Sequence, residues 1–196
     1  MADLIFYTGS MGSAKTAHAL MSNFQYKERG KNVWLIKPAI DTREKINYEN
    51  GRPNKTLIRS RIGIEAWADV VQISDHIVPP PDTNLIICDE AQFLTSNQVD
   101  ELKMISDSQG IQVMCYGLRA DFRSNAFEGS KRLFELASTI QILPVICDCG
   151  NAAIINARII DGNTTTEGEQ VCIGGDEKYK AYCYSCWKKY QNKGAI

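Results

Sequence analysis

Eight residues near the amino end could cradle a phosphate group: Gly9, Ser10, Met11, Gly12, Ser13, Ala14, Lys15 and Thr16. They lie between an apolar run, Leu4–Tyr7, and a segment with helical spacing. A strand, a loop of small residues, a Lys-Thr pair and a helix, in that order, are typical of a phosphate-binding loop. Loop N–H groups and the helix N-terminus would hold the anion. Lys15 would reach the outer phosphates of a nucleotide, and the Thr16 hydroxyl would bind Mg²⁺.

One position departs from the usual pattern of such loops. Ala14 stands directly before Lys15, where glycine is usual. Alanine is strained there if the backbone needs a positive φ, whereas a small residue fits if φ is negative. An ordinary strand-to-helix turn that happens to contain Lys-Thr is the simpler alternative to nucleotide binding.

A pair of acids follows the apolar run Leu85–Cys88, which is typical of a fully buried strand. At the end of such a strand Asp89 could bind Mg²⁺ directly or through water. Glu90 would point to the other side, because side chains alternate along a strand, and could take a proton from an attacking hydroxyl or polarise a water. A solvated strand end is the alternative, but the preceding Lys-Thr loop favours a nucleotide site shared by both motifs.

Four of the seven cysteines form two close pairs, Cys147/Cys149 and Cys183/Cys186. Two such pairs can supply four thiolates in a tetrahedron, which is the usual structural Zn²⁺ site. Gly150 would relieve the tight turn of the first pair. Disulfides and a redox pair are the competing interpretations, but an odd cysteine count argues against a complete disulfide framework. Because four cysteines leave no ligand position for water, we expect a structural metal.

The elements that must position these residues alternate along the first part of the chain. Apolar runs predict strands at Leu4–Thr8, Asn32–Lys37, Val70–Ile73, Asn84–Cys88, Ile111–Tyr116 and Thr139–Leu143, and helical spacing predicts helices at 15–29, near 97–108 and near 128–138. This alternation predicts an α/β fold of the P-loop (RecA-like) kind, a mostly parallel sheet with helices on both faces. The polar stretch 41–60 is expected to be a long insert without regular structure.

Composition changes near Pro144 and predicts two domains: a nucleotide-binding domain at 1–143 and a small zinc-binding domain at 144–196. The second is too short to bury a large core, so it needs a metal to hold it together. A net charge of −1 over 196 residues draws neither nucleic acid nor a membrane surface. With no apolar run of spanning length and no signal-peptide pattern, we expect a cytoplasmic protein with no polymer or membrane partner.

Taken together, the motifs resemble those of the type II thymidine kinases, the human cytosolic and bacterial enzyme family. The matching segments, in order, are 9–16, Asp41-Thr42-Arg43, Ser60–Gly63, Asp89–Phe93 and Gly117–Phe122, followed by the cysteine pairs, Asn156-Ala157-Arg158 and Ile173–Gly175 before Tyr179. The resemblance covers essentially the whole chain, and Ala14 is its main departure.

The resemblance implies that the γ-phosphoryl of ATP passes to the 5′-hydroxyl of thymidine, with deoxyuridine as a possible second substrate, in a homotetramer. It implies Glu90 as the general base. Residues 9–16 would bind ATP together with Asp89 and Gln92, and Thr16 and Asp89 would hold Mg²⁺. Four further residues become candidates for contacting the transferring group or for ordering loops: Asp41, Arg43, Arg61 and Arg158. For the arginines, a solvated surface position is the alternative.

In the family, a long lasso loop on the zinc module closes over the nucleoside. Here it would run from about 161 to 179, and its contact positions would be Gln170, Val171, Cys172, Ile173, Gly174 and Tyr179. Leu118 and Phe127 would line the pocket, and Phe122 would stack on the base. Without the resemblance, plain core packing would be the favoured interpretation for both phenylalanines.

Two other functions stay open from the residues alone. A nucleic-acid motor or regulatory ATPase with a zinc knuckle would show a basic stripe and hydrolysis stimulated by polynucleotides. A weakened nucleotide-binding module, with Ala14 as the lesion, would bind ATP without transferring its phosphoryl group.

Overall fold

The computed structural model describes residues 2–40, 45–160, 162–170 and 178–191. Its elements are β1 (Leu4–Thr8), α1 (Lys15–Glu28), β2 (Val33–Pro38), β3 (Ile46–Glu49), β4 (Arg52–Arg59), β5 (Glu65–Val71), β6 (Leu85–Cys88), a 3₁₀ turn (Ala91–Phe93), α2 (Ser96–Gln109), β7 (Gln112–Gly117), α3 (Glu128–Leu136), β8 (Thr139–Ile142), β9 (Ile155–Ile160), β10 (Asn163–Thr165), β11 (Tyr179–Tyr182) and α4 (Tyr184–Gln191). No helix among these residues is long and apolar enough to cross a bilayer.

The main sheet has eight strands in the order β3-β4-β5-β2-β6-β7-β1-β8. All neighbours from β5 to β8 in that order are parallel. Helix α1 packs on one face, where Leu20 joins Ile87 and Tyr116. Helices α2 and α3 cover the other face, where Leu102 and Leu133 join the core. The predicted α/β sheet with helices on both faces is therefore confirmed.

Burial on both faces explains why the central strands are easy to read from sequence. All four residues of β6 are fully buried, since a parallel strand between two helical layers has no solvent side. Helix α2 is well marked too, because Thr95 and Gln98 form a reciprocal capping box at its start and Gly110 ends it at a φ of 67°.

The prediction of an unstructured insert at 41–60 is wrong for the part that the structure describes. Strands β3 and β4 form an antiparallel hairpin that extends the sheet through β5. Asn50 and Gly51 turn the chain with φ values of 51° and 77°, the mirror-image turn that an Asn-Gly pair favours. Residues 41–44 lie outside the described part.

Strand β5 also differs from its prediction, since it covers 65–71 rather than 70–73. Its acidic residues hide it from a search for apolar runs. Asp69 accepts a hydrogen bond from the indole Nε1 of Trp34 at 2.8 Å, and Lys55 pairs with the same carboxylate at 2.9 Å. Cross-strand partners therefore accommodate this charge within the sheet.

A second, three-stranded antiparallel sheet follows β8, in the order β10-β9-β11. Its small core combines cysteines with aromatic and apolar side chains from β9, β11, α4 and the segments that connect them to each other and to β8: Cys147, Ala153, Ile155, Ala157, Tyr182, Cys183 and Trp187. β8 ends at Ile142, just before the expected domain boundary after residue 143. The division into two domains stays a prediction.

Candidate active site

Three neighbouring strands deliver the predicted chemistry to one edge of the main sheet. The loop 9–14 follows β1, Asp89 and Glu90 follow β6, and Leu118 follows β7, which lies between the other two strands. The carboxyl ends of parallel strands meet at the same edge, which is where open α/β sheets bind ligands.

Lys15 lies across the phosphate loop and closes it. Its ammonium donates to the carbonyl oxygens of Gly9 and Ser10 at 3.0 and 2.9 Å and to the Ser13 hydroxyl at 3.0 Å. Burial lowers the pKa of Lys15 to about 8, although the nearby Glu90 and Asp89 act in the opposite direction. The positive charge of Arg61 contributes to this lowering of the Lys15 pKa, so Arg61 belongs to the electrostatic surroundings of the loop.

The structure decides the conformation of Ala14, which the sequence left open. Its φ of 57° and ψ of 27° lie in the left-handed region, directly before the first residue of α1. For an L-residue with a Cβ this conformation costs about 1–2 kcal/mol. The loop therefore keeps the backbone shape that usually calls for glycine and carries strain at this residue.

We expect Ala14→Gly to stabilise the protein. Relief of about 1–2 kcal/mol of left-handed strain exceeds the extra unfolded-state entropy of glycine, about 0.5–1 kcal/mol, so the free energy of unfolding should rise by about 1 kcal/mol. Urea unfolding measures the change. Ala17→Gly, inside α1, is the control and should lower stability by a similar amount. Equal losses at both positions would show that residue 14 carries no strain.

Asp89 joins the phosphate loop to the acid pair. The Thr16 hydroxyl donates to Asp89 Oδ2 at 3.1 Å, which brings the start of α1 and the end of β6 into contact. Burial and, after it, the charge of Glu90 together raise the pKa of Asp89 to about 7. Lys37, buried at the end of β2, and the Thr16 hydrogen bond act against this rise. A hydroxyl and a carboxylate at this distance suit Mg²⁺ bound to a nucleotide.

Because its pKa is raised, Asp89 lowers the free energy of unfolding in a pH-dependent way when Mg²⁺ and nucleotide are absent. Between about pH 4 and pH 7 the folded state keeps a proton that the unfolded chain has lost, so the free energy of unfolding falls as pH rises. Asp89→Asn removes this fall, and its stability relative to the parent should increase from about pH 5 to about pH 8. Denaturant unfolding across that range tests it, with exposed Asp107→Asn as control. A pH-independent difference would contradict the prediction.

Glu90 is held in an unusual backbone conformation, with a φ of 55° at the junction of β6 and the 3₁₀ turn. Its Oε2 accepts a hydrogen bond from Gln92 Nε2 at 2.5 Å, and Gln92 Oε1 accepts one from the Leu118 N–H at 3.0 Å. Strained residues of this kind concentrate at functional sites. The Gln92 amide is thus already bonded to Glu90 and Leu118. Its predicted contact with ATP stays a prediction.

Arg158 is buried, and it contacts the predicted lasso at two points, Glu169 and Tyr179. Its guanidinium donates to the Tyr179 hydroxyl from Nε and Nη2, at 3.0 and 2.6 Å, and to the Glu169 carbonyl at 2.8 Å. The guanidinium carbon also lies 3.8 Å from the ring centroid of Phe122. This geometry favours the loop-ordering role over a solvated surface position.

The remaining predicted nucleoside contacts are divided between described and undescribed residues. Gln170 donates to Asp121 Oδ2 at 3.1 Å, which ties the lasso to the loop after β7. Phe122 is only 1% exposed, and Phe127 packs edge-on against Phe93. Six predicted residues lie outside the described part of the chain: Asp41, Arg43, Val171, Cys172, Ile173 and Gly174.

The two cysteine pairs come together as predicted. The four sulfurs of Cys147, Cys149, Cys183 and Cys186 lie within 4.8 Å of one another. A zinc–sulfur bond of about 2.3 Å places the sulfurs of a tetrahedron about 3.8 Å apart, and the Cys149 and Cys183 sulfurs are 3.6 Å apart. Gly150 turns the first pair at a φ of 87°, and its N–H donates to the Cys147 carbonyl. The donor set therefore fits a structural Zn²⁺.

Sequence reasoning missed the contact between the zinc module and the phosphate loop. The Met11 N–H donates to Asn156 Oδ1 at 2.7 Å, and the Ser10 hydroxyl donates to the Ala153 carbonyl at 3.0 Å. Asn156 also donates to the Ala120 carbonyl, at 3.2 Å. One signal in the sequence could have indicated this contact: Asn156 and Arg158 occupy alternate positions of β9, and polar side chains are unusual in a buried strand.

The sequence of the chain is similar to those of known proteins. A family model described as "Thymidine kinase" matches residues 2–187. The thymidine kinase of Enterobacteria phage T4 is 39% identical over 201 aligned positions, covering 98% of this chain and 99% of the relative. That of Zymomonas mobilis is 40% identical, covering 93% and 94%, and that of Legionella pneumophila is 40% identical, covering 96% and 90%. The chain therefore belongs to the thymidine kinase family and is an enzyme of that family.

Proposed function

We propose that this enzyme transfers the γ-phosphoryl group of ATP to the 5′-hydroxyl of thymidine, giving dTMP and ADP. The observation that carries the proposal is the contact between Thr16 and Asp89, 3.1 Å, with Lys15 and Glu90 at the same sheet edge. A phosphate loop and an acid pair at one site are what phosphoryl transfer from a nucleotide requires. Membership of the thymidine kinase family supplies the acceptor class.

The residues divide the work by their chemistry. Lys15 would place its charge on the outer phosphates, and Arg61 would add positive potential nearby. Thr16 and Asp89 would hold Mg²⁺, which when bound neutralises charge on the phosphate oxygens. Glu90 would accept the proton of the 5′-hydroxyl as that oxygen attacks the γ-phosphorus and ADP departs. Little covalent chemistry is asked of the protein, so the rate depends on alignment and charge.

The nucleoside would lie between the loop after β7 and the lasso. Arg158 supports this arrangement because it holds Glu169 and Tyr179, on either side of residues 170–178, to one guanidinium. The same guanidinium covers one face of Phe122, so that face would not be available to a base. The zinc module would act as the structural base of the lasso.

Transfer of labelled phosphate tests the proposal directly. With γ-labelled ATP and Mg²⁺ we expect label in dTMP, a slower or equal reaction with deoxyuridine, and no stimulation of hydrolysis by DNA or RNA. Label in inorganic phosphate alone, increased by polynucleotide, would favour the motor interpretation. Tight ATP binding without transfer would favour a weakened module with Ala14 as its lesion.

The proposal also covers the assembly state and the cellular compartment of the protein. We propose a homotetramer in the cytoplasm, as the family resemblance implies. Sedimentation equilibrium of the purified chain, with and without ATP, measures the assembly state, and a monomer at all concentrations would contradict it.

A further inference from the structure

The side-chain amide of Gln92 connects two parts of the site that the reaction must keep in register. Its Nε2 donates to Glu90 Oε2 at 2.5 Å, and its Oε1 accepts the Leu118 N–H at 3.0 Å. Leu118 belongs to the loop after β7, on the expected nucleoside side. Gln92 therefore links the carboxylate after β6 to the backbone after β7.

The Leu118 N–H fixes which end of the amide faces Glu90. An N–H donor needs an acceptor, and only Oε1 of the amide can accept. Nε2, which carries the hydrogens, is then left to point at Glu90 Oε2, where a charge-assisted hydrogen bond is strong. The flipped amide would set N–H against N–H at one end and oxygen against carboxylate at the other.

Two glycines hold the backbone of Gln92 in place. A Cβ at Gly117, the last residue of β7, would lie 2.9 Å from both the Gln92 backbone nitrogen and Oε1. A Cβ at Gly129, in α3, would lie 2.5 Å from the Ala91 carbonyl oxygen and 3.1 Å from that of Gln92. The 3₁₀ turn is therefore packed between β7 and α3 at backbone contact, which leaves Gln92 little freedom.

The α3 side completes the connection. Ser130 is fully buried, and its hydroxyl donates to the Leu118 carbonyl at 2.5 Å. Leu118 thus has its carbonyl fixed by α3 and its N–H fixed by Gln92. Gln92 is only 2% exposed, so little water can compete for the hydrogen bonds of its amide.

We propose that Gln92 is a positioning residue that fixes the orientation of the Glu90 carboxylate relative to the loop after β7. The inference rests on the proposed function, in which Glu90 takes the proton of the 5′-hydroxyl. A base must meet that proton within hydrogen-bond reach, and a misplacement of about 1 Å can cost about 100-fold in rate. Gln92 acts through Glu90 and not on the substrates themselves.

Two substitutions at Gln92 test this role. Gln92→Met keeps the length of the side chain and removes both hydrogen bonds. Gln92→Glu keeps an acceptor for the Leu118 N–H and removes the donor to Glu90, so it serves if the Met variant folds poorly. For each we expect kcat to fall about 10- to 100-fold, while KM for ATP and for thymidine stays within about threefold of the parent.

Gln98 provides a matched control inside the same chain. It is 3% exposed and, like Gln92, uses both ends of its amide, accepting from the Thr95 N–H and donating to the carbonyls of Gln72 and Asp75. Gln98→Met should lower the unfolding midpoint as much as Gln92→Met does, but leave kcat unchanged. A loss of kcat common to both variants would mean that general destabilisation, not positioning, is responsible.

A double-mutant cycle with Glu90→Gln separates the possible outcomes. If Gln92 works through Glu90, Gln92→Met costs little or nothing further in the Glu90→Gln background. An equal cost in both backgrounds would overturn the proposal, and so would an unchanged kcat with a raised KM for ATP, which would make Gln92 an ATP contact. If Glu90→Gln alone retains full activity, the proposed function of Glu90 fails first, whatever Gln92 does.

Discussion

Glu90→Gln should lower kcat by roughly 10²–10⁴-fold, the usual contribution of a positioned general base. Glutamine has nearly the same shape as glutamate, so the hydrogen bond from Gln92 and the left-handed backbone of residue 90 can persist. It cannot accept the proton of the 5′-hydroxyl. ATP should still bind with near-parental affinity, because Lys15 and Thr16, which would contact its phosphates, are unchanged.

Single-turnover transfer is the right measurement, since product release could limit kcat in the parent enzyme and conceal part of the effect. ATP dissociation constants are measured alongside. Glu135→Gln removes one carboxylate from an exposed ion pair with Arg132 and should leave both quantities unchanged. A Glu90→Gln enzyme with near-full single-turnover rates at saturating substrates would show that another group takes the proton.

The central sheet was predictable from sequence because short stretches of sequence mark its strands and the helices that cover it. β1 and β6 are apolar runs bounded by loop residues, and α1 and α2 end at glycines suited to a positive φ. Because parallel strands place their carboxyl ends at one edge of the sheet, the phosphate loop after β1 and the acid pair after β6 meet there, with β7 between them. The chemistry of Lys15, Thr16 and Asp89 follows from the same motifs.

The hairpin of β3 and β4 was missed although its signal is present. Asn50-Gly51 is a strong two-residue hairpin signal, but most of the strand residues beside it are polar, and the buried residues of β4 lie at the far end from the turn. β5 was misplaced for a related reason. Its Asp69 is balanced by Trp34 and Lys55 from neighbouring strands, and such partners cannot be seen in the sequence of one segment.

The fine structure of the site lies beyond sequence reasoning because it depends on contacts distant in the chain. Arg158 meets Phe122 and Tyr179, and Asn156 meets Met11, across separations that no periodicity encodes. The backbone conformation of Ala14 could not be predicted from the sequence either. A residue type leaves φ open, and only the folded loop shows that alanine occupies the left-handed region.

Removal of zinc should abolish thymidine binding well before it abolishes ATP binding. The second sheet has a core of few side chains, among them Cys147 and Cys183, so the metal supplies much of its stability. Structural zinc sites of this ligand type are worth about 10–16 kcal/mol in isolated zinc-finger peptides near neutral pH. Without zinc, β9 loses the packing that supports it. Arg158 can then no longer contact Glu169, Tyr179 and the face of Phe122 together.

ATP affinity should fall less, because the contacts between the modules are fewer on that side. Only two hydrogen bonds among the described residues, from Ser10 and Met11, tie the phosphate loop to the zinc module. The hydrogen bonds of Lys15 and the Thr16–Asp89 contact involve only the phosphate loop, the start of α1 and the end of β6. Loss of zinc should therefore weaken ATP binding by at most about 30-fold, which corresponds to the loss of two hydrogen bonds of about 1 kcal/mol each.

Cys149→Ser, at the exposed corner of the cluster, provides the genetic form of this experiment, and chelation of the parent provides the chemical form. Zinc content is measured first, and then calorimetric affinities for thymidine and for an ATP analogue. Cys115→Ala is the control: this buried cysteine lies in β7 outside the cluster, so the variant should keep its zinc and its thymidine affinity. Parental thymidine affinity after verified loss of the metal would mean that the lasso holds its shape without zinc, and that Arg158 and the main sheet alone suffice to order it.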